Sequence, residues 1–224
     1  MTARGARIAV VSVCVSVAVG GTLAVLLRMP PVPTKAAQSP GDAPETSLSQ
    51  AQMEALLARV ARSLDPKLRT KLAEAVLSES GRAGYDPLFI LGLVSVESSF
   101  RTHVSSDRGA YGLMQLQPST FAWIAGREPD IGDGAAVSED PVIDVRLAVR
   151  YFRWLERRFP RREDALMAYN AGPRRLRHYK RVGIPSSVRA YSRNVMREYQ
   201  RFVRMTGSGQ DPRGVVLARA DSMP

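Results

Sequence analysis

The sequence predicts a mostly α-helical domain behind a single N-terminal transmembrane helix and a linker. Apolar residues recur at helical spacing through most of the chain, and no segment shows the sustained alternation that is typical of a β-strand. Residues 8–27 are uncharged and as a helix would span about 30 Å, roughly one bilayer core. These features divide the chain into a membrane anchor or signal segment (1–28), a Pro/Ala-rich linker (29–47), a helical domain (48–205) and a disordered tail (206–224).

The N-terminal apolar run is interpreted as an uncleaved membrane anchor. Arg4, Arg7 and the α-amine precede it, so the N-terminus is expected to stay in the cytoplasm while the rest of the chain is exported. A cleaved signal peptide is the alternative, but its apolar core is usually shorter and ends in a small-x-small site, which "VLLRMPPVP" does not provide. Either interpretation places the helical domain in the periplasm or otherwise outside the cytoplasmic (inner) membrane.

Positive charge is concentrated in the C-terminal half of the chain. The net charge is +11, and residues 150–204 hold sixteen Arg or Lys against four Asp or Glu. Such a segment indicates either an anionic partner, such as acidic wall polymers or lipid headgroups, or a merely solvated helical surface. Nucleic acid is not expected as a partner, because export removes it and no nucleic-acid motif is present.

The cysteine and histidine content limits the possible chemistry. Cys14 is the only cysteine and lies in the apolar run, which excludes an intrachain disulfide and a cysteine nucleophile. With His103 and His178 as the only histidines, a His/Cys zinc site is nearly excluded as well. We expect no metal ligands and, independently, no cofactor.

Capping signals predict where the helices begin. Ser49 and Gln52 fit a capping box, while Asp65, Asp86 and Asp140 each precede a proline suited to the first helical position. Together with shorter periodic segments, they predict helices that begin near residues 50, 66, 87, 119, 141, 162, 173 and 186.

Three short motifs are candidates for function: "ESSF" at 97–100, "GAYGLMQLQP" at 109–118 and "AYNAGP" at 168–173. Each alone has an ordinary explanation as a helix end or turn, and the glycine segment lacks the Gly-Lys-Ser/Thr ending of a phosphate loop. Glu97, however, ends a helix that is apolar nearly all round. A carboxylate buried there is either paired or kept protonated for chemistry, and burial is expected to raise its pKa.

The order and spacing of these motifs give the chain a resemblance to the lytic transglycosylases, specifically to the soluble-lytic-transglycosylase-like catalytic domain with its lysozyme-like fold. The resemblance covers residues 86–199 and rests on "YDPLFILGLVSVESSF", "GLMQLQP", the later "DP", "ALMAYNAGP" and "SVRAYSRNV". It implies peptidoglycan glycan strands as substrate. It also implies non-hydrolytic cleavage between N-acetylmuramic acid and N-acetylglucosamine, which leaves 1,6-anhydromuramic acid ends.

The resemblance also implies roles for individual residues. Glu97 matches the sole catalytic acid/base, and Tyr191 matches the tyrosine that orients its carboxyl group. The residues implied in substrate binding are Met114, Gln115, Tyr169, Asn170 and Tyr191. Asp144 and Ala148 stand where the family often has Asn and Gly. Since both lie on a scaffold helix, we expect them to affect local packing more than chemistry.

Two alternatives remain open at the level of sequence. A lysozyme-like hydrolase of the same bond would need a positioned water and a second carboxylate, for which Asp107, in a Gly/Ser-rich loop, is a poor candidate. A non-catalytic wall-binding scaffold could retain the fold, but such a scaffold has no use for an acid at Glu97. The sequence does not identify protein partners.

Overall fold

The structure, a computed structural model, describes residues 48–131 and 140–207. The predicted membrane segment (1–28) and linker (29–47) lie outside the described residues, as does nearly all of the predicted tail. Within the described ranges the chain forms eight helices and no extended strand, which confirms the mostly α-helical prediction. They are α1 (Gln50–Val60), α2 (Pro66–Ala83), α3 (Pro87–Ser98), α4 (Pro118–Ala125), α5 (Pro141–Glu156), α6 (Arg162–Ala171), α7 (Pro173–Val182) and α8 (Ser186–Thr206).

Four of the predicted helix starts are confirmed by their caps. The Ser49 and Gln52 side chains form both hydrogen bonds of a capping box, and the carboxylates of Asp65, Asp86 and Asp140 accept hydrogen bonds from the first backbone N–H groups of α2, α3 and α5. The helix ends are less regular: α7 and α8 each run a few residues further than their apolar periodicity predicts. In the described ranges, none of the helices has both the length and the apolar character needed to cross a membrane.

Helix α3 lies at the centre of the core, and it packs most extensively against α8. Its residues from Leu88 to Val94 are all buried, so it shows almost no polar face. Gly92 allows the close approach: a Cβ there would lie 3.1 Å from the backbone nitrogen of Tyr199 and from the backbone oxygen of Val195. This contact fixes the position of α8 relative to the C-terminal end of α3.

A polar cluster joins α2 to α5 on the other side of the core. The Glu79 side chain is only 3% exposed and forms ion pairs with Arg146 (3.2 Å) and Arg150 (3.0 Å). Arg150 also pairs with Glu128 at 2.8 Å and with Asp130. The cluster satisfies a buried carboxylate and holds the segment after α4 against α5.

Candidate active site

The C-terminal end of α3 carries Glu97 into a strained turn. Ser99 has a φ of 52° and Phe100 a φ of 63°, and the one other non-glycine residue with positive φ in the described ranges is Gln115 (50°). Such conformations cost on the order of 1–3 kcal/mol each and persist only where the surrounding structure imposes them. Two of these residues follow Glu97 directly in the chain, and strained conformations of this kind cluster at functional sites.

The Glu97 carboxyl group is held by Tyr191 of α8, whose hydroxyl donates a hydrogen bond to Glu97 Oε1. Burial raises the pKa of Glu97 from its ordinary 4.5 to about 7, the hydrogen bond from Tyr191 lowers that pKa, and repulsion from Asp144 raises it. The predicted upward shift by burial is confirmed. At neutral pH a substantial fraction of Glu97 therefore carries a proton.

The glycine segment folds back on itself beside Glu97. Isolated bridges pair Tyr111 with Ser105 and with Leu116, and the Gln115 side-chain amide donates to the carbonyl oxygens of Val104 (2.8 Å) and Gly112 (3.0 Å). Gln115 thus closes the loop through its side chain and also lines the cavity described below. These two side-chain hydrogen bonds explain how the strained backbone of Gln115 is held in place.

Met114 lies differently from the sequence expectation. Its side chain is 0% exposed and packs in the core instead of lining the groove. Its backbone is what reaches the site: its N–H donates to Asp144 Oδ2 at 2.8 Å, and its carbonyl accepts from the Tyr169 hydroxyl at 2.8 Å. The apolar side chain fastens the loop to the core, so the polar backbone is held in place.

Tyr169 and Asn170, at the end of α6, both line the same cavity as Glu97. Tyr169 is buried and its hydroxyl is committed to Met114, whereas Asn170 is exposed and its amide is open to solvent. The structure therefore brings together five of the six predicted site side chains, Glu97, Gln115, Tyr169, Asn170 and Tyr191, although Tyr191 reaches the site through Glu97 and does not line the cavity.

The cavity has a volume of about 320 Å³. Glu97 is the one carboxylate among the described residues that line it, while Asp107 lies on the exposed loop and is not part of the wall. Two exposed arginines, Arg108 and Arg175, stand at its edge without an ion-pair partner in the described ranges. The cavity therefore combines a single acid with a cationic rim.

A second cavity, of about 390 Å³, lies between α2, α4 and α5 and is the larger of the two. Its acids are Glu79, Glu128 and Asp130, all of them paired with arginine in the cluster described above. We assign the active site to the smaller cavity because only there does a buried acid lack a cationic partner.

Sequence reasoning missed Asp144, Tyr151, Arg108 and Arg175. Asp144 is buried beneath the glycine segment, where its Oδ2 accepts the Met114 N–H, a structural contact of the kind that its scaffold position implied. Helical spacing could have linked two of them, because Asp144 and Tyr151 are seven residues apart and therefore lie on the same face of α5. Ala148 lies fully buried on that face, as its scaffold role implied. In the described ranges no group of three or more His, Cys, Asp or Glu side chains is placed to hold a metal ion.

Comparison with known proteins agrees with the geometry. The family described as Transglycosylase SLT domain matches residues 62–183, more than half of the chain. Tyr191 lies beyond the matched segment, yet it contacts Glu97, which lies within it.

Solved structures of lytic transglycosylases share the fold. An inactive mutant of the lytic transglycosylase Slt from Pseudomonas aeruginosa matches with a TM-score of 0.56 and 20% identity over 72% of this chain and 31% of that one. The 70 kDa soluble lytic transglycosylase from Escherichia coli matches with a TM-score of 0.55 and 21% identity over 70% of this chain and 30% of that one. A complex of a 70 kDa soluble lytic transglycosylase with bulgecin A gives 0.53 and 20%, over 69% and 30%. The chain thus has a lysozyme-like catalytic-domain fold and spans under a third of the length of these proteins.

Proposed function

Because this chain belongs to the Transglycosylase SLT domain family, we propose that it is a peptidoglycan lytic transglycosylase, which cleaves the bond between N-acetylmuramic acid and N-acetylglucosamine without consuming water. The observation that carries the proposal is the cavity with one carboxylate, Glu97, whose pKa is raised to about 7. A single group that is part acid and part base at neutral pH suits a reaction in which it must play both roles.

In the first step Glu97 acts as a general acid. Its proton passes to the glycosidic oxygen as the bond from that oxygen to the muramic acid C1 breaks, and the sugar's own 2-acetamido oxygen bonds to C1. The substrate thereby supplies the nucleophile that a second carboxylate provides in other glycosidases. Because the substrate provides this nucleophile itself, a cavity with one acid can cleave the bond.

In the second step the Glu97 carboxylate acts as a general base. It takes the proton from the muramic acid 6-hydroxyl, whose oxygen bonds to C1 while the acetamido oxygen leaves. Glu97 regains its proton, a 1,6-anhydro ring closes and no water enters the products. The chain needs no cofactor for this sequence of steps.

We assign the surrounding residues supporting roles. Tyr191 positions the Glu97 carboxyl group through its hydrogen bond. Asn170 presents its exposed amide to the glycan, Gln115 lines the groove while its amide nitrogen holds the loop, and Tyr169 forms the wall behind them. Met114 supports the groove from the core through its backbone contacts. Within the predicted set, the substrate-binding role is therefore direct for Asn170 and indirect for Met114.

We further propose that the domain works outside the cytoplasmic membrane, tethered by the uncharged run at residues 8–27. Support comes from the length of that run and from Arg4 and Arg7 ahead of it. Cell fractionation tests this: the full-length chain should be recovered with the membranes. Recovery of a shortened, freely soluble exported form as the main species would instead show a cleaved signal peptide.

The catalytic assignment is tested with Glu97→Gln, which keeps the shape of the side chain and removes its titrating proton. Losing general acid catalysis typically costs about 10² to 10⁴ in rate, and here the same group is also the base. Muropeptide release from purified peptidoglycan should therefore fall to the detection limit, while glycan binding is kept.

The matched control for this experiment is Asp107→Asn, which neutralises the nearest exposed carboxylate of the site loop. This variant should retain most of the activity. Full activity in Glu97→Gln would refute the assignment of the acid. Loss of activity in Asp107→Asn alone would move the chemistry to the loop.

A further inference from the structure

A second buried acid, Asp144 of α5, lies directly beneath the glycine segment. It is 4% exposed, and its Oδ2 accepts the Met114 N–H at 2.8 Å. Its other oxygen, Oδ1, is buried and has no hydrogen-bond partner in the described part of the chain. A buried carboxyl group with one oxygen lacking a hydrogen bond destabilises the fold, so its presence here calls for an explanation beyond packing.

The loop closes over this carboxyl group with no space to spare. Gly112 has a φ of +84°, and a Cβ placed there would lie 2.5 Å from Asp144 Oδ2 and 3.2 Å from its Cγ. Only glycine combines that conformation with that contact. The turn from Gly112 to Met114 is therefore shaped around the Asp144 side chain.

Asp144 and Glu97 also interact electrostatically. Burial raises the pKa of Asp144 to about 7, although the backbone N–H groups of Met114 and Leu113 lower it. These two N–H groups favour the charged form of Asp144, whereas Glu97 accepts only the Tyr191 hydroxyl. Both acids therefore titrate near neutral pH, and the charge of an ionised Asp144 opposes ionisation of Glu97.

The other groups around the pair do not offset this charge. Tyr191 of α8 and Tyr169 of α6 have pKa values raised well above the ordinary 10, and burial raises the pKa of Tyr151 of α5 to about 12, so all three stay neutral. The cations at the cavity, Arg108 of the loop and Arg175 of α7, are exposed at its edge and screened by solvent.

We propose that Asp144 is a positioning residue for Glu97, which holds the Gly112–Met114 turn from beneath and uses its negative charge to keep Glu97 protonated before substrate binds. The proposal rests on the proposed function, because Glu97 needs its proton only if it acts as the acid. In this role Asp144 influences the protonation state of Glu97. It is not a second reacting group, since it does not line the cavity.

The pH dependence of kcat/KM separates this role from a purely structural one. In Asp144→Asn the side-chain carbonyl can still accept the Met114 N–H, but the charge is gone. Glu97 should then lose its proton more easily, so the alkaline limb of the profile should move to lower pH by about half a unit or more. An unshifted limb would overturn the electrostatic role.

Asp164→Asn is the matched control. Asp164 is also buried, but it lies on α6, where it pairs with Lys180 at 2.7 Å and does not line the cavity. Asp164→Asn removes the charge of a buried carboxylate that pairs with a part-exposed lysine, so it should lower the melting temperature without moving the pH profile. If both variants shift the profile equally, the effect is a general loosening of the fold and the proposal fails.

The titration of Asp144 itself can be followed by NMR of ¹³C-labelled aspartate carboxyl groups in the full chain. This measurement requires neither enzymatic activity nor an Asp144 variant that folds. Coupling is reciprocal, so in Glu97→Gln the Asp144 signal should titrate at lower pH than in the unaltered protein. Identical titrations would refute the coupling. Coupled titrations in a protein that fails to cleave peptidoglycan would instead refute the proposed function and leave the pairing of the two acids intact.

Discussion

Replacing Tyr191 with phenylalanine tests how the fold orients the acid. The change removes one hydroxyl from the contact between α8 and α3 and leaves the aromatic ring to fill its place. A hydrogen bond to a charged group contributes about 1.5–3 kcal/mol, which corresponds to about 10- to 150-fold in rate if it is made fully only in the transition state. We therefore expect kcat/KM to fall by at least about tenfold.

The pH profile gives the sharper result. The Tyr191 hydrogen bond favours the charged form of Glu97 and lowers its pKa, whereas burial and Asp144 raise it. Without the hydroxyl, the pKa of Glu97 should rise above about 7, so the acid form persists to higher pH. The alkaline limb of kcat/KM should move upward in Tyr191→Phe, opposite to the movement expected for Asp144→Asn.

Tyr199→Phe is the matched control. Tyr199 lies on the same stripe of α8, two turns further on, and donates to Asp86 Oδ2 at 2.8 Å, away from the cavity. Tyr199→Phe should lower the free energy of unfolding about as much as Tyr191→Phe does, because each variant loses one hydrogen bond to a carboxylate. It should leave the pH profile of kcat/KM unchanged. An unchanged rate and profile in Tyr191→Phe, or equal changes in both variants, would refute the orienting role of Tyr191.

Three further outcomes follow from the buried charges and the basic surface. Glu97 binds its proton more tightly in the folded state, with a pKa of about 7 against 4.5, so its contribution to stability is present at low pH and lost as pH rises through about 7. Glu97→Gln should accordingly be more stable than the unaltered protein at pH 8, by up to about 3 kcal/mol in chemical denaturation, with no gain near pH 4; equal stability at pH 8 would contradict the raised pKa. Glu79→Gln should lower the free energy of unfolding by about 3 kcal/mol, because it breaks the buried ion pair with Arg150. Asp130→Asn, at a side chain that is 46% exposed, should lower it far less. Similar losses in the two variants would mean that burial of the carboxylate does not determine how much its ion pair contributes to stability. Binding of the full chain to peptidoglycan sacculi should weaken between about 0.05 and about 0.5 M salt, because the Debye length shortens and the exposed arginines of α7 and α8 are screened. Binding that is flat over that range would show that these arginines are merely solvated.

Features that depend on local chemistry could be predicted from the sequence. Asp65, Asp86 and Asp140 cap the helices that follow because a short carboxylate can reach its own helix's first N–H groups. The burial of α3 follows equally from its composition, and with it the raised pKa of Glu97. These inferences need no knowledge of how distant segments meet.

Features that depend on tertiary contact could not be predicted. The buried Glu79 looks like an ordinary surface residue of an amphipathic helix until α5 brings Arg146 and Arg150 to it, over sixty residues away in sequence. Met114 looks like a groove residue until its side chain is seen in the core. Asp144 acquires its importance only because the glycine turn closes over it.

The most direct test of the central claim is the fate of water oxygen during cleavage. The full-length protein should be incubated with peptidoglycan in H₂¹⁸O, and the released muropeptides analysed by mass spectrometry. A single acid that serves first as acid and then as base predicts products ending in 1,6-anhydromuramic acid with no ¹⁸O at the cleaved end. Reducing-end muramic acid carrying ¹⁸O as the main product would show hydrolysis, and would contradict the account of Glu97 as an acid and base that excludes water from the reaction.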